Sequence, residues 1–256
     1  MKKAVLVVSF GTSYHETREK TIDVCENKIK NSLCGYDFFR AYTSNMIIRK
    51  LKKRDNINID NPIEALTKIS EQGYEEVVVQ TLHIICGEEY NKLKDQINEL
   101  SHKFKKITLG RPLLTTIEDY KEAVKAVNCQ IPKMEDGEAL VFMGHGTEHE
   151  SHSAYPTIEY AMQDQGIKAY VGTVEGYPEL EQVMNKLKKD KIKKVHLMPF
   201  MLVAGDHAIN DMASDEEDSW YTVLRENGYD VKVYLQGLGE NPEIQKIFER
   251  HAHDCI

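Results

Sequence analysis

Short apolar runs alternate along the chain with stretches whose apolar residues recur every three or four positions. The runs Ala4–Ser9, Phe38–Tyr42, Glu76–Thr81 and Ile107–Leu109 do not alternate strictly with polar residues. Such runs belong to strands buried on both faces, as in a parallel sheet covered by helices. Between them the spacing predicts helices over Thr17–Leu33, Pro62–Gln72, Glu89–Lys103 and Ile117–Val127. The pattern then restarts. Ala139–Met143, Ala169–Gly172, Lys194–Met198 and Val231–Leu235 read as strands, and Ser153–Gln165, Pro178–Asp190, Asp211–Asn227 and Pro242–His251 as helices. Strand and helix in alternation make an α/β protein with parallel sheets.

The two sets match in detail as well as in order. Val7-Val8-Ser9-Phe10-Gly11-Thr12 lies over Phe142-Met143-Gly144-His145-Gly146-Thr147, and Gly87-Glu88-Glu89 lies over Gly205-Asp206-His207. A repeat longer than a hundred residues is no solenoid. It is an internal duplication, and it predicts two similar α/β lobes with a cleft between them. The polar, turn-rich segment Pro132–Gly137 reads as the linker. The expected lobes are residues 1–130 and 138–256, with the final helix, 241–253, free to pack on either.

Composition then removes alternatives. Among 256 residues, 33 Lys and Arg stand against 41 Asp and Glu, a net charge of −8, which argues against a nucleic-acid partner. The longest apolar stretch, Leu197–Ala204, is far short of the ~20 residues that cross a bilayer, so no membrane partner is expected. Five scattered cysteines without a Cys-x-x-Cys predict neither a disulfide framework nor a zinc knuckle. Met1-Lys2-Lys3 followed by Ala4–Phe10 reads as a first buried strand and not as a signal peptide. A cytoplasmic location follows as the expectation.

Ligands of parallel α/β sheets bind beyond the carboxyl ends of the strands. In the second lobe His145, Glu175 and His207 each follow a strand run, and each has a neighbouring glycine. Two imidazoles and a carboxylate form a borderline site for Co, Ni, Fe or Zn, with coordination positions left open and no thiolate to hold the ion tightly. Their first-lobe counterparts are Phe10, Ser44 and Glu89, so only the second lobe carries the set. Glu89 and the wall Ser9, Phe10, Thr12 and Ser13 would face the set across the cleft. His149 and His152 look like a metal tract but fall at a helix start, and His83 has no particular claim. There is no dinucleotide fingerprint, Walker sequence or Gly-x-Ser-x-Gly elbow, so no nucleotide cofactor is expected.

These stretches resemble the anaerobic cobalt chelatases of cobalamin biosynthesis, relatives of ferrochelatase among the class II chelatases. The resemblance rests on Leu6–His15, Thr43–Leu51, Phe142–Gly146, Leu197–Asp215 and Gly237–Pro242, and so runs nearly end to end. It implies two flavodoxin-like lobes and insertion of Co²⁺, the substrate metal, into sirohydrochlorin without ATP. It implies His145 as base and metal ligand, Glu175 and His207 as the remaining ligands, and Glu89 as an acidic residue near the macrocycle. Arg49, Arg54 and Arg111 are candidates to meet the carboxylates of the pigment. A nickel or iron chelatase for a related tetrapyrrole, or a non-catalytic carrier, would use similar residues.

Overall fold

The structure, a computed structural model, describes residues 2–256 and divides into two compact units. Unit 1 runs up to Thr115 and takes in Pro242–Ile256, while unit 2 is Thr116–Asn241.

In unit 1 the order is β1 (Lys3–Ser9), α1 (His15–Lys20), α2 (Ile22–Ser32), β2 (Asp37–Tyr42), α3 (Asn45–Asp55), α4 (Pro62–Glu71), β3 (Glu76–Thr81), α5 (Glu88–Leu100) and β4 (Lys106–Leu109). The strands form a parallel sheet in the order β2-β1-β3-β4. Every residue of β3, and every residue of β1 after Lys3, is buried. That is why these central runs carry no polar alternation. The edge strands β2 and β4 are only partly buried.

Unit 2 repeats the plan: α6 (Ile117–Asn128), β5 (Glu138–Thr147), α7 (Ala154–Asp164), β6 (Ala169–Gly176), α8 (Leu180–Lys189), β7 (Lys194–Pro199), α9 (Trp220–Glu226) and β8 (Asp230–Val233). Its parallel sheet has the order β6-β5-β7-β8, so β5 corresponds to β1, β6 to β2 and β7 to β3. Gly11 and Gly146, matched by the repeat, both have φ of 91°. The duplication thus extends to a backbone angle that few residues other than glycine adopt.

The unit boundaries depart from residues 1–130 and 138–256. Helix α6 packs on α7 within unit 2, and the final helix α10 (Pro242–His253) packs on α2 and β3 within unit 1. Asn241 anchors the end of unit 2 by donating to the Ala126 carbonyl at 2.8 Å. Beyond it, α10 buries Ile244, Ile247, Phe248, His251 and Ala252. The segment Pro132–Gly137 therefore lies inside unit 2 and is not a linker between units.

Five elements differ from expectation. The helix over Thr17–Leu33 breaks at Thr21, whose hydroxyl bonds back to the Thr17 carbonyl at 2.5 Å. This competition with the backbone is typical of threonine. Helix α3 falls where the apolar spacing predicts none, because it is lysine-rich and buries only Leu51. The helix over Asp211–Asn227 is instead a short π-helical turn, Ala208–Met212, an irregular acidic stretch, and α9, which restarts where the Ser219 hydroxyl accepts from Thr222 N–H at 3.1 Å. Strands β5 and β6 run four residues beyond the apolar segments that predict them.

Candidate metal centre

The extension of β5 and β6 carries two of the candidate ligands. Pairing continues through Gly144 with Thr173, Gly146 with Glu175 and Thr147 with Gly176. His145 and Glu175 thus sit on adjacent paired strands and not in loops after them. His207 comes from the loop after β7, at the entry to the π-helical turn. Because β5 lies between β6 and β7, the carboxyl ends of three neighbouring strands supply Glu175, His145 and His207 side by side.

Ligand atoms of the three side chains all lie within 4.8 Å of one another. The imidazole rings of His145 and His207 meet edge to face with centroids 4.8 Å apart, and His145 Nδ1 is 3.9 Å from Glu175 Oε2. The side chains remain 43%, 61% and 34% exposed for His145, Glu175 and His207, so the set is open to solvent.

Outer partners orient both rings. His207 Nδ1 is 2.6 Å from Asp211 Oδ2, one turn further along. His145 Nδ1 is 3.1 Å from the Gly146 carbonyl. With each Nδ1–H donated to an oxygen, each Nε2 keeps its lone pair for a metal, as in carboxylate–histidine–metal arrangements. Gly146 N–H in turn donates to the Tyr155 hydroxyl at 3.0 Å, tying the strand extension to buried Tyr155 on α7. Asp211 carries no mark in sequence beyond lying four residues after His207.

His149 and His152 stand outside this group. His149 Nδ1 accepts from Ser151 N–H at 3.1 Å, and His152 bonds locally to the His149 carbonyl, so both shape the short turn Glu150–Ser153. In unit 1, Glu89 occupies the first turn of α5, after β3, the position equivalent to His207 after β7. Its Oε2 is buried without a hydrogen-bond partner. Ser9, Thr12 and Ser13 are buried, and the Thr12 hydroxyl accepts from Tyr14 N–H, whereas Phe10 is 44% exposed. Arg54 pairs with Asp55 and Arg111 with Asp254.

One residue without a particular claim in sequence stands beside Glu89. His83 Nδ1 is 2.5 Å from the Thr81 hydroxyl, and its Nε2 is buried with no partner. Burial pushes its pKa down to about 4, against the smaller opposing pull of the Glu89 carboxylate. Its ordinary value is 6.5, so between these values the unfolded chain binds a proton that the folded chain refuses. Stability is therefore full above about 6.5 and falls as the pH drops towards 4. At pH 5 the loss is about 2 kcal/mol, and urea unfolding at pH 7.5 and pH 5 will show a smaller loss in His83→Gln.

A doubly repeated α/β fold whose second half gathers two imidazoles and a carboxylate at the carboxyl ends of its strands presents a group of side chains that could hold a divalent metal ion. The fold is similar to that of the solved structure of SirB from Bacillus subtilis with Fe3+, at a TM-score of 0.68 and 15% identity, covering 99% of this chain and 95% of that one. The chain belongs to the cobalt chelatase (CbiK) family, whose model matches residues 3–256. It is 48% identical over 256 residues to a sirohydrochlorin cobaltochelatase of Salmonella typhimurium, covering all of this chain and 97% of the relative. It is 31% identical over 262 residues to the sirohydrochlorin cobaltochelatase CbiKC of Nitratidesulfovibrio vulgaris, covering all of this chain and 91% of the relative. No helix among the described residues is long and apolar enough to cross a membrane.

Proposed function

We propose that this protein inserts Co²⁺ into sirohydrochlorin, without nucleotide hydrolysis, as a step of cobalamin biosynthesis in the cytoplasm. The observation that carries the reading is the open His145–Glu175–His207 set on a chain of the cobalt chelatase family. Five free cysteines suit a reducing compartment.

Insertion exchanges one Co²⁺ for two pyrrole protons. Nε2 of His145, Nε2 of His207 and a Glu175 oxygen replace part of the ion's water shell. Solvent completes the rest, and the lack of a thiolate keeps the ion exchangeable. His145 cannot hold the metal and accept a proton through the same nitrogen. Its Nδ1 is occupied by the Gly146 carbonyl, so Nε2 becomes a base only as cobalt passes to the ring. The second proton goes to Glu89, whose Oε2 is an acceptor without a donor from the protein. Of the wall Ser9, Phe10, Thr12 and Ser13, exposed Phe10 is the side chain offered to the macrocycle. Binding energy spent on bending the ring towards its metallated shape lowers the barrier to insertion.

The test is anaerobic mixing of the protein with excess sirohydrochlorin and Co²⁺ while the pigment's absorption is followed. The reading expects many cobalt insertions per protein molecule. A signal that stops at one equivalent identifies a carrier, and faster turnover with Ni²⁺ or Fe²⁺ reassigns the metal.

A further inference from the structure

At the carboxyl end of β2, a recess of about 170 Å³ is lined by Thr43, Asn45, Asn61, Ile63, Lys92 and Gln96. It has room for roughly five or six waters, or a carboxyl group with a short aliphatic stem, and is too small for a ring system. Two helices begin at its wall: α3 at Asn45, and α4 after its cap Asn61. The cap oxygens of Ser44 and Asn61 serve Ile47 N–H and Glu64 N–H. The earlier N–H groups of a helix have no intrahelical acceptor, and together with the helix dipole they favour an anion. The Glu64 carboxylate, the nearest acid of α4, is turned back onto Asn61 N–H at 3.0 Å.

A second observation marks the recess as incomplete. Thr43 is only 7% exposed, yet its hydroxyl has no hydrogen-bond partner. A buried hydroxyl left unpaired is costly, and here it lines a polar cavity. Lys92 supplies a full positive charge from α5. It follows Glu89 by three residues and precedes Gln96 by four, so the three share one helix face. The recess therefore adjoins the acid proposed to work at the macrocycle.

We infer that this recess is an anion subsite that holds one carboxylate side chain of the tetrapyrrole, through the Lys92 ammonium, the Thr43 hydroxyl, the first N–H groups of α3 and, since Pro62 opens α4 without an N–H, the Ile63 N–H. The inference rests on the function proposed above. It also answers an electrostatic need, because a protein of net charge −8 must present local positive potential to a polycarboxylate. The charges of Arg54 and Arg111 are partly offset by Asp55 and Asp254, whereas Lys92 brings its charge to the recess itself.

The experiment titrates metal-free sirohydrochlorin into the full-length protein and reads affinity by the pigment's absorption and fluorescence. Lys92→Met weakens binding about 10-fold and flattens its salt dependence. Thr43→Val weakens it about 5-fold, yet unfolds in urea no earlier than the wild type, because the hydroxyl it removes had no partner within the protein. Lys94→Met, an exposed lysine of the same helix outside the recess, changes neither. Acetate competes with the pigment on the wild type and not on Lys92→Met. Wild-type affinity in both recess variants overturns the subsite. So does competition by inorganic phosphate with none by acetate, which would mark a site for free phosphate. Cobalt turnover by the wild type alongside either result leaves the proposed function standing and removes the subsite alone. A wild-type protein that does not bind sirohydrochlorin at all overturns the function, and the subsite with it.

Discussion

Replacing His145 or His207 by alanine lowers the rate of cobalt insertion by about 100-fold or more while leaving the fold intact. The magnitude follows from the ligand count. Loss of an outer-sphere partner alone typically costs 10–100-fold in metal affinity, and each of these histidines is itself one of the three proposed donors. The fold survives because both side chains are partly exposed and neither belongs to the hydrophobic core of unit 2. The two variants separate in a second readout. His207→Ala removes a ligand held by Asp211, so Co²⁺ affinity, followed by the visible absorption of the bound ion, falls as far as the rate does. On the proposed roles His145→Ala removes both a ligand and the base, so its rate at saturating cobalt stays depressed where that of His207→Ala partly recovers. Wild-type turnover in purified His207→Ala would remove the metal set from the mechanism.

Much of this site is legible before the fold is known, and the reason is physical. The core strands β1, β3, β5 and β7 are buried on both faces, so their apolar runs stand out and locate the carboxyl ends where ligands gather. A histidine next to glycine at such an end is conspicuous. Other parts are hidden for equally physical reasons. The glycines that let β5 and β6 continue to Thr147 and Gly176 also erase the side-chain pattern that would announce a strand, so His145 and Glu175 read as loop residues. Helix α3, which starts one wall of the Thr43 recess, buries only Leu51 and leaves almost no apolar stripe to read. His83 differs from a surface histidine only through its burial beside Glu89, which no spacing reveals. The placement of α6 on α7 and of α10 on α2 depends on which apolar faces meet in space.

The same glycines make the site brittle, which sets the second expectation. Gly146→Ala lowers stability by about 2–4 kcal/mol and weakens Co²⁺ binding at least about 10-fold. At φ 91° an alanine is strained in any surroundings. Here its Cβ would also lie 1.6 Å from the Glu175 carbonyl oxygen and 2.8 Å from Thr173 Cβ. A backbone oxygen cannot rotate away as a side chain can, so β5 and β6 must part beyond Met143 and Gly172. That movement separates His145 from Glu175 and pulls on the Gly146–Tyr155 hydrogen bond. The sheet core before Met143 is untouched, so the protein folds but holds its ion poorly. Gly11→Ala is the matched control. It has the same φ in the repeat, and its Cβ would meet the Tyr42 ring in unit 1. It destabilises as well, yet leaves Co²⁺ affinity unchanged, because all three ligands belong to unit 2. Calorimetric unfolding and cobalt titration on the two variants distinguish general strain from damage to the metal set. Equal cobalt affinity in both would show that the strand extension does not position the ligands.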